Sequence, residues 1–243
     1  MSVTTGIDTP LLPELTFITM THNRNGQRAR NFILSLLEQT IQVSIVVVDT
    51  SSSHANRSGI AGLTPDIRLI YLSLPSPTFN KSKALNLGLS VSITPYLAFT
   101  DIDFIFHPTV AETLLSHMRS DPSHFLLSEA LYLPPDLSVE HPFDWEMLIS
   151  KGEFHGRLMS PGTIQVSHAD WFTYCGGYDE AYEGGLGGMD DDMIARARKG
   201  ELNVKWLPRH EIKCLHQWHE PSELKGVCSD LFDADPPVVK NQR

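Results

Sequence analysis

Positive charge is what this chain has least of. Across 243 residues, 19 Lys and Arg stand against 29 Asp and Glu, a formal net charge of −10. Non-specific nucleic-acid binding depends on cations clustered along phosphates, so that class is excluded. An acidic protein that takes an anionic ligand needs a local remedy, either a few placed cations or a metal. Cysteine is scarce as well: Cys175, Cys214 and Cys228 show no CxxC spacing and leave one over from any pairing. That is no disulfide framework, and it points to a reducing compartment. No apolar run approaches the ~20 residues of a membrane-spanning helix. MSVTTGIDTPLLPEL lacks the basic-then-apolar order of a signal peptide. A soluble, cytoplasmic protein is expected. There is no internal repeat, no low-complexity segment and no HEXXH zinc-protease motif.

What is present is an ordinary core composition, 41% apolar and 9% aromatic. Residues 1–14 form a loose leader. LTFITMT (15–21), VSIVVVD (43–49), IRLIYL (67–72) and PYLAFTD (95–101) are predicted strands, the second apolar on both faces as parallel strands are. Between them, Phe32, Ile33, Leu36 and Leu37 recur at helical spacing, and KSKALNLGLSV (81–91) forms another helix. Strands alternating with helices at this pitch predict an α/β fold, doubly wound on a mostly parallel sheet. The second half is predicted as a helix over 107–122, a strand in FLLSEALYL and a long irregular loop at 133–162. A strand in GTIQVS, a short helix in HADWFTYCGG, a helix in DDDMIARARKG and strands in LNVKWL and EIKCLH follow. One domain over 15–222 is expected, with a nucleotide-binding half (15–107), an acceptor half (108–222) and a tail (223–243).

Three groups of residues carry chemistry. Asp49 ends an inner strand, at the edge where open α/β sheets place their ligand crevice. It is there either to accept hydrogen bonds from a ligand or to bond its own Ser-rich turn. Asp101 and Asp103 follow YLAF; alternation along a strand would turn both carboxylates to one face, where a hard divalent cation suits them. The same D-x-D also occurs in solvated turns. His216 and His219, in LHQWHE, add imidazoles to such a mixed shell. Asp190, Asp191 and Asp192 open a helix, where each acid gains ~0.3–1 kcal/mol from the macrodipole. The bare glycines of GGYDEAYEGGLGGMDDD before them suit close approach of a polar ligand, toward which a carboxylate can act as general base.

In order and spacing, TFITMTHNR, VSIVVVDTSS, FNKSKALNLGL and LAFTDIDFIF resemble the N-terminal half of family 2 glycosyltransferases of the GT-A fold. GTIQVSHADWFTYCGGYDEAYEGGLGGMDDDM resembles the C-terminal half of β-1,4-galactosyltransferases. The resemblance implies a single Rossmann-like domain and a nucleotide-sugar donor, most simply a UDP-sugar. It also implies a carbohydrate or other hydroxyl acceptor, and Mn²⁺ or Mg²⁺ as cofactor. It assigns nucleotide contacts to Thr21, Asn23, Arg24, Asp49, Asn80, Lys81, Asp101 and Ile102. Metal binding falls to Asp101, Asp103, His216 and His219, the base to Asp190, and an acceptor contact to Asp191. Four departures stand out. Leu186 replaces a Trp, Met189 a Glu that contacts sugar hydroxyls, and Thr50 a second nucleotide-site Asp; the Q-x-x-R-W motif of processive synthases is absent. The expected outcome is transfer with inversion, retention following if Asp190 only orients the acceptor. Loop 133–162 is a candidate acceptor site or lid, with Trp145 and Trp171 as stacking platforms. A sugar nucleotidyltransferase and a catalytically degenerate binding module are the competing readings.

Overall fold

Alternation along the strands decides the layers. In β1 (Leu15–Thr21), β2 (Ser44–Asp49) and β4 (Tyr96–Phe99), successive apolar side chains go to opposite faces of one sheet and are buried on both. Leu15, Phe17, Ile45, Val47 and Ala98 pack with the first face's helices, α1 (Gly26–Leu37) and α3 (Val110–Ser120). Ile18, Val46, Val48, Leu97 and Phe99 pack with α2 (Lys81–Val91), α5 (Ala169–Tyr174) and α6 (Met189–Lys199) on the other. In this computed structural model, the residues described are 12–240 without 24–25, 51–52, 54–56, 58–59, 61, 64–67, 76–77 and 157–160. The leader to residue 11 and Arg24 lie outside them.

β3 (Leu69–Ser73), β6 (His124–Ser128), β8 (Gln165–His168) and β9 (Asn203–Leu207) complete a seven-stranded sheet in the order β3-β2-β1-β4-β8-β6-β9. Only β8 runs antiparallel to its neighbours. The chain leaves β1 toward β2 and β3, then returns to β1's other side as β4. That reversal opens a crevice at the carboxyl ends of β1 and β4, at Thr21 and Thr100. A second sheet, β5-β10-β7, unites β5 (Phe104–Phe106), β10 (Cys214–His216) and β7 (Leu131–Tyr132).

Two expectations are corrected. FLLSEALYL is not one strand: the chain leaves the large sheet after Ser128 and enters the small one at Leu131. Buried Glu129, which accepts from the Arg209 backbone N–H and guanidinium at 3.1 Å each, sits at that break. The irregular loop contains α4 (Trp145–Lys151), capped by the Asp144 side chain and packed through Leu148 on Ile105, Leu131 and Leu215.

Candidate active site

Past β4 the chain turns instead of continuing as a strand. Thr100 Oγ1 donates to Thr163 O at 2.5 Å, and Phe104 N–H bonds Asp101 O at 3.4 Å, so Asp101-Ile102-Asp103 is a tight corner into β5. The corner separates the two carboxylates that simple alternation would align. Asp101 Oδ1 meets Lys81 Nζ at 2.8 Å; Asp103 Oδ2 meets His219 Nε2 at 2.8 Å and its Oδ1 lies 3.8 Å from His216 Nε2.

Asp103 immediately precedes β5, His216 ends its sheet neighbour β10 and His219 follows shortly after, and the three offer ligand atoms within 4.8 Å of one another. Gln217, between the histidines, is buried and donates its backbone N–H to Asp103 O at 2.8 Å. Asn31 of α1 in turn donates to the Gln217 side-chain oxygen at 2.9 Å. His219 Nδ1 donates to Glu220 O at 2.7 Å, which leaves Nε2, the nitrogen aimed at Asp103, as the ligating one. A carboxylate and two imidazoles with one ring tautomer fixed fit a divalent transition ion such as Mn²⁺.

Asp190 enters from the first turn of α6, after Gly188 in the left-handed region at φ 77°. Its Oδ2 is 3.3 Å from Lys81 Nζ. Lys81 thus bridges Asp101 and Asp190 from the first turn of α2. Burial alone would lower its pKa, but the two carboxylates outweigh burial and hold the ammonium above its ordinary value. Burial pushes Asp190 up, and facing Asp101 adds to this while Lys81 opposes it. Gly162 completes the contact: a Cβ there would lie 3.0 Å from Asp101 Oδ2 and 3.1 Å from Asp190 Oδ2, so the bare backbone lets both acids in.

These groups line one cavity of about 330 Å³, with Thr163, Tyr132, Leu186, Met189, Ser222 and Lys225 among its other walls. An adjoining cavity, bounded by Met20, His22, Phe79 and Ile102, shares Lys81, Asp101 and Asp103 with it. Ser222, Leu224 and Lys225 belong to the last stretch of the chain, fastened by Leu186 N–H to Leu224 O at 2.8 Å.

The remaining candidates lie as follows. Thr21 ends β1, its carbonyl accepting from Thr50 N–H at 2.9 Å. Asn23 Oδ1 accepts from Ser53 N–H at 2.7 Å. Asp49 is fully buried at the end of β2, where its carboxylate holds Arg57 Nε at 2.7 Å and the Tyr71 hydroxyl. Asn80 caps α2 by accepting from Lys83 N–H at 2.8 Å and donates to Glu180 O at 2.9 Å. Asp191 faces solvent. Trp171 packs against Phe125 and Phe172, and Trp145 against Phe143 and His107; neither lines the two cavities. His22, edge-on to Phe79 at 5.3 Å, and Gln217 were not singled out from sequence, one being a lone histidine in a loop and the other a glutamine between more conspicuous neighbours.

Residues 16–157 match the sequence profile described as "Glycosyl transferase family 2". The chain belongs to that family. The fold agrees: S. aureus TarS residues 1–349, solved in complex with UDP-GlcNAc, superposes with a TM-score of 0.66 at 13% identity over 88% of this chain. A second S. aureus TarS structure gives 0.63 at 14% identity over 84% of this chain. The chain spans 61% and 37% of those two, respectively. No curated protein sequence matches. The seven-stranded sheet with helices on both faces is thus the GT-A fold of a family 2 glycosyltransferase. The profile ends before β8, so the galactosyltransferase resemblance of the C-terminal half finds no support from it.

Proposed function

We propose that the protein is a metal-dependent glycosyltransferase that moves a sugar from a UDP-sugar to an acceptor hydroxyl, with inversion at the anomeric carbon. The observation that carries this reading is the shared cavity, with the Asp103–His216–His219 cluster and Asp190 both on its walls and Lys81 between the acids. Membership of the family supports transfer, and the UDP-GlcNAc bound by S. aureus TarS supports the donor class.

Asp103, His216 and His219 would hold Mn²⁺, Mg²⁺ being less suited to imidazole. Asp101 adds negative charge beside them, its Oδ1 held by Lys81. Bound there, the ion supplies Lewis-acid charge to a diphosphate leaving group. Lys81 contributes a permanent cation at the same end of the cavity. As the anomeric C–O bond to the diphosphate breaks and the acceptor oxygen bonds to that carbon, Asp190 takes the hydroxyl proton. Its raised pKa makes it the better base for this, and the Lys81 ammonium favours its charged form. Attack from the side away from the leaving group gives inversion. His22 and Phe79 are proposed for the nucleoside side, together with Thr21, Asn23, Arg24, Asp49, Asn80 and Ile102. Asp191, exposed next to Asp190, is proposed for the acceptor. Three buried free thiols suit a reducing compartment, and the cytoplasm is the proposed location.

Calorimetric titration of UDP with and without Mn²⁺, followed by a screen of UDP-sugars for slow hydrolysis, tests this reading. Tight UDP binding that needs Mn²⁺, lost in Asp103→Ala, is expected, with at least one UDP-sugar cleaved. Release of pyrophosphate from UTP and a sugar 1-phosphate would replace transfer with nucleotidyl chemistry. Binding without any turnover would reduce the protein to a nucleotide-sugar module.

A further inference from the structure

Gln165 is a polar residue near the middle of a sheet, buried to 1% exposure, on the face that packs against α6. Its amide is fully used. Nε2 donates to Asp190 O and to Pro161 O, both at 3.0 Å, and Oε1 accepts from the Tyr178 hydroxyl at 2.8 Å. The amide orientation is fixed by these partners, because a flip would set its oxygen against two carbonyl oxygens. Tyr178, also buried, is tied to α2: its N–H donates to Asn86 Oδ1 and its carbonyl accepts from Asn86 Nδ2, both at 2.8 Å.

We propose that Gln165, oriented by Tyr178, is a positioning residue that fixes the Asp190 carboxylate against Lys81 and Asp101; this rests on the function assigned to Asp190 above. Three parts of the cavity meet at this one amide. The backbone of Asp190 hangs from it. The turn carrying Gly162, which separates the Asp101 and Asp190 carboxylates, hangs from it through Pro161. Through Tyr178 and Asn86 it is tied to the helix that carries Lys81. An apolar residue would satisfy the layer equally well as packing but would remove the hydrogen bonds to the Asp190 and Pro161 carbonyls and from the Tyr178 hydroxyl. The polar choice is explained by what it holds in register. Positioning of this kind acts on turnover: a displacement of about 1 Å at a reacting group costs about 10²-fold in rate. The Asp103–His216–His219 cluster is placed by the strands of the other sheet, β5 and β10.

Gln165→Met removes the amide at nearly constant length, and Tyr178→Phe removes only the hydroxyl that orients it. Expected for Gln165→Met is a fall in kcat for sugar transfer of about 10²-fold, with Mn²⁺-dependent UDP affinity and donor KM kept. Tyr178→Phe should move the same quantity in the same direction by less. A kcat at the wild-type level in Gln165→Met overturns the proposal. So does a loss of UDP affinity in step with kcat, which marks a general structural role. A crystal structure of Gln165→Met gives a readout free of turnover: the 3.3 Å Asp190–Lys81 contact is expected to open. An unchanged contact overturns the proposal, whereas a wild-type protein without transfer activity overturns the assigned function and leaves this geometry to decide the role of Gln165.

Discussion

Lys81 holds the two halves of the site at a single atom. It is the first residue of α2, almost wholly buried, and its ammonium sits between carboxylates from the β4–β5 corner and from α6. A buried cation flanked this way stays charged. General-base catalysis is worth about 10²–10⁴-fold, so Asp190→Asn is expected to cut transfer by that order while nucleotide affinity holds. Equal rates for variant and wild type in a donor–acceptor assay would remove Asp190 from the mechanism. The thiols give a separate check. All three cysteines are buried, and burial pushes Cys214 up to about 12. Ellman's reagent is expected to find no reactive thiol in the native protein and three after denaturation. Much at this scale was legible in the chain: the D-x-D, the late histidines and the first acid after the glycines, Asp190, all reach one cavity. The division of labour within D-x-D was not, because it depends on a corner held by Thr100 and Thr163, residues far apart in sequence. Gln165 and Gln217 were illegible for a related reason. A glutamine in a half-apolar stretch looks like a solvent-facing residue until its partners are known.

Among the elements, α6 shows most clearly what pattern reading sees and misses. Acids in its first turn and Arg196, Arg198 and Lys199 in its last follow the macrodipole, as expected. Yet Arg196 is fully buried, bonding Asp192 Oδ2 at 2.9 Å, Cys175 O at 3.1 Å and Gly177 O at 2.8 Å. Its guanidinium clamps the helix to the glycine turn that precedes Tyr178. Breaking such a pair from one side costs about 3–5 kcal/mol, so Arg196→Ala is expected to lower unfolding free energy by that amount in urea titration. A loss under 1 kcal/mol would show that the clamp adds little. On the opposite side of the site, α2 approaches β1 so closely that a Cβ on Gly88 would stand 2.4 Å from Ile18 Cγ2. Gly88→Ala gains helix propensity, but overpacking costs about 1–3 kcal/mol, so net destabilisation is expected in the same titration. Strand and helix types were legible from periodicity here; the closeness of α2 to the sheet was not, since it is a tertiary fact that a lone glycine in a helical run only hints at.

At the scale of the whole molecule, the last stretch of chain belongs to the body of the fold. Lys240 N–H bonds Cys175 O at 2.9 Å, and its ammonium meets Asp179 Oδ2 at 2.9 Å. Burial alone would raise Asp179, but the Lys240 hydrogen bond, the Ala181 N–H and the charges of Lys240 and Arg196 hold it below the usual carboxylate range. A carboxylate depressed in the folded state adds stability above its unfolded pKa of about 3.9, and that stability is lost as pH falls through the lower folded value. Asp179→Asn is therefore expected to cost more stability at pH 6 than at pH 3, read from paired denaturation curves. A constant difference would mean that the ion pair contributes nothing. Ligand linkage is testable globally too. Mn²⁺ at 100 times its Kd should stabilise the native state by about 2.7 kcal/mol, seen as a rise in Tm that Asp103→Ala abolishes.

Because the small sheet pairs Phe104–Phe106 with Cys214–His216, the candidate cation cluster draws its carboxylate from the β4–β5 corner and both imidazoles from a segment far later in the sequence. A nascent chain still on the ribosome would already hold β1 to β4 while having nothing with which to capture manganese. Competence for the metal would then wait for β10, so a product ending before that strand would be silent toward manganese instead of sequestering it.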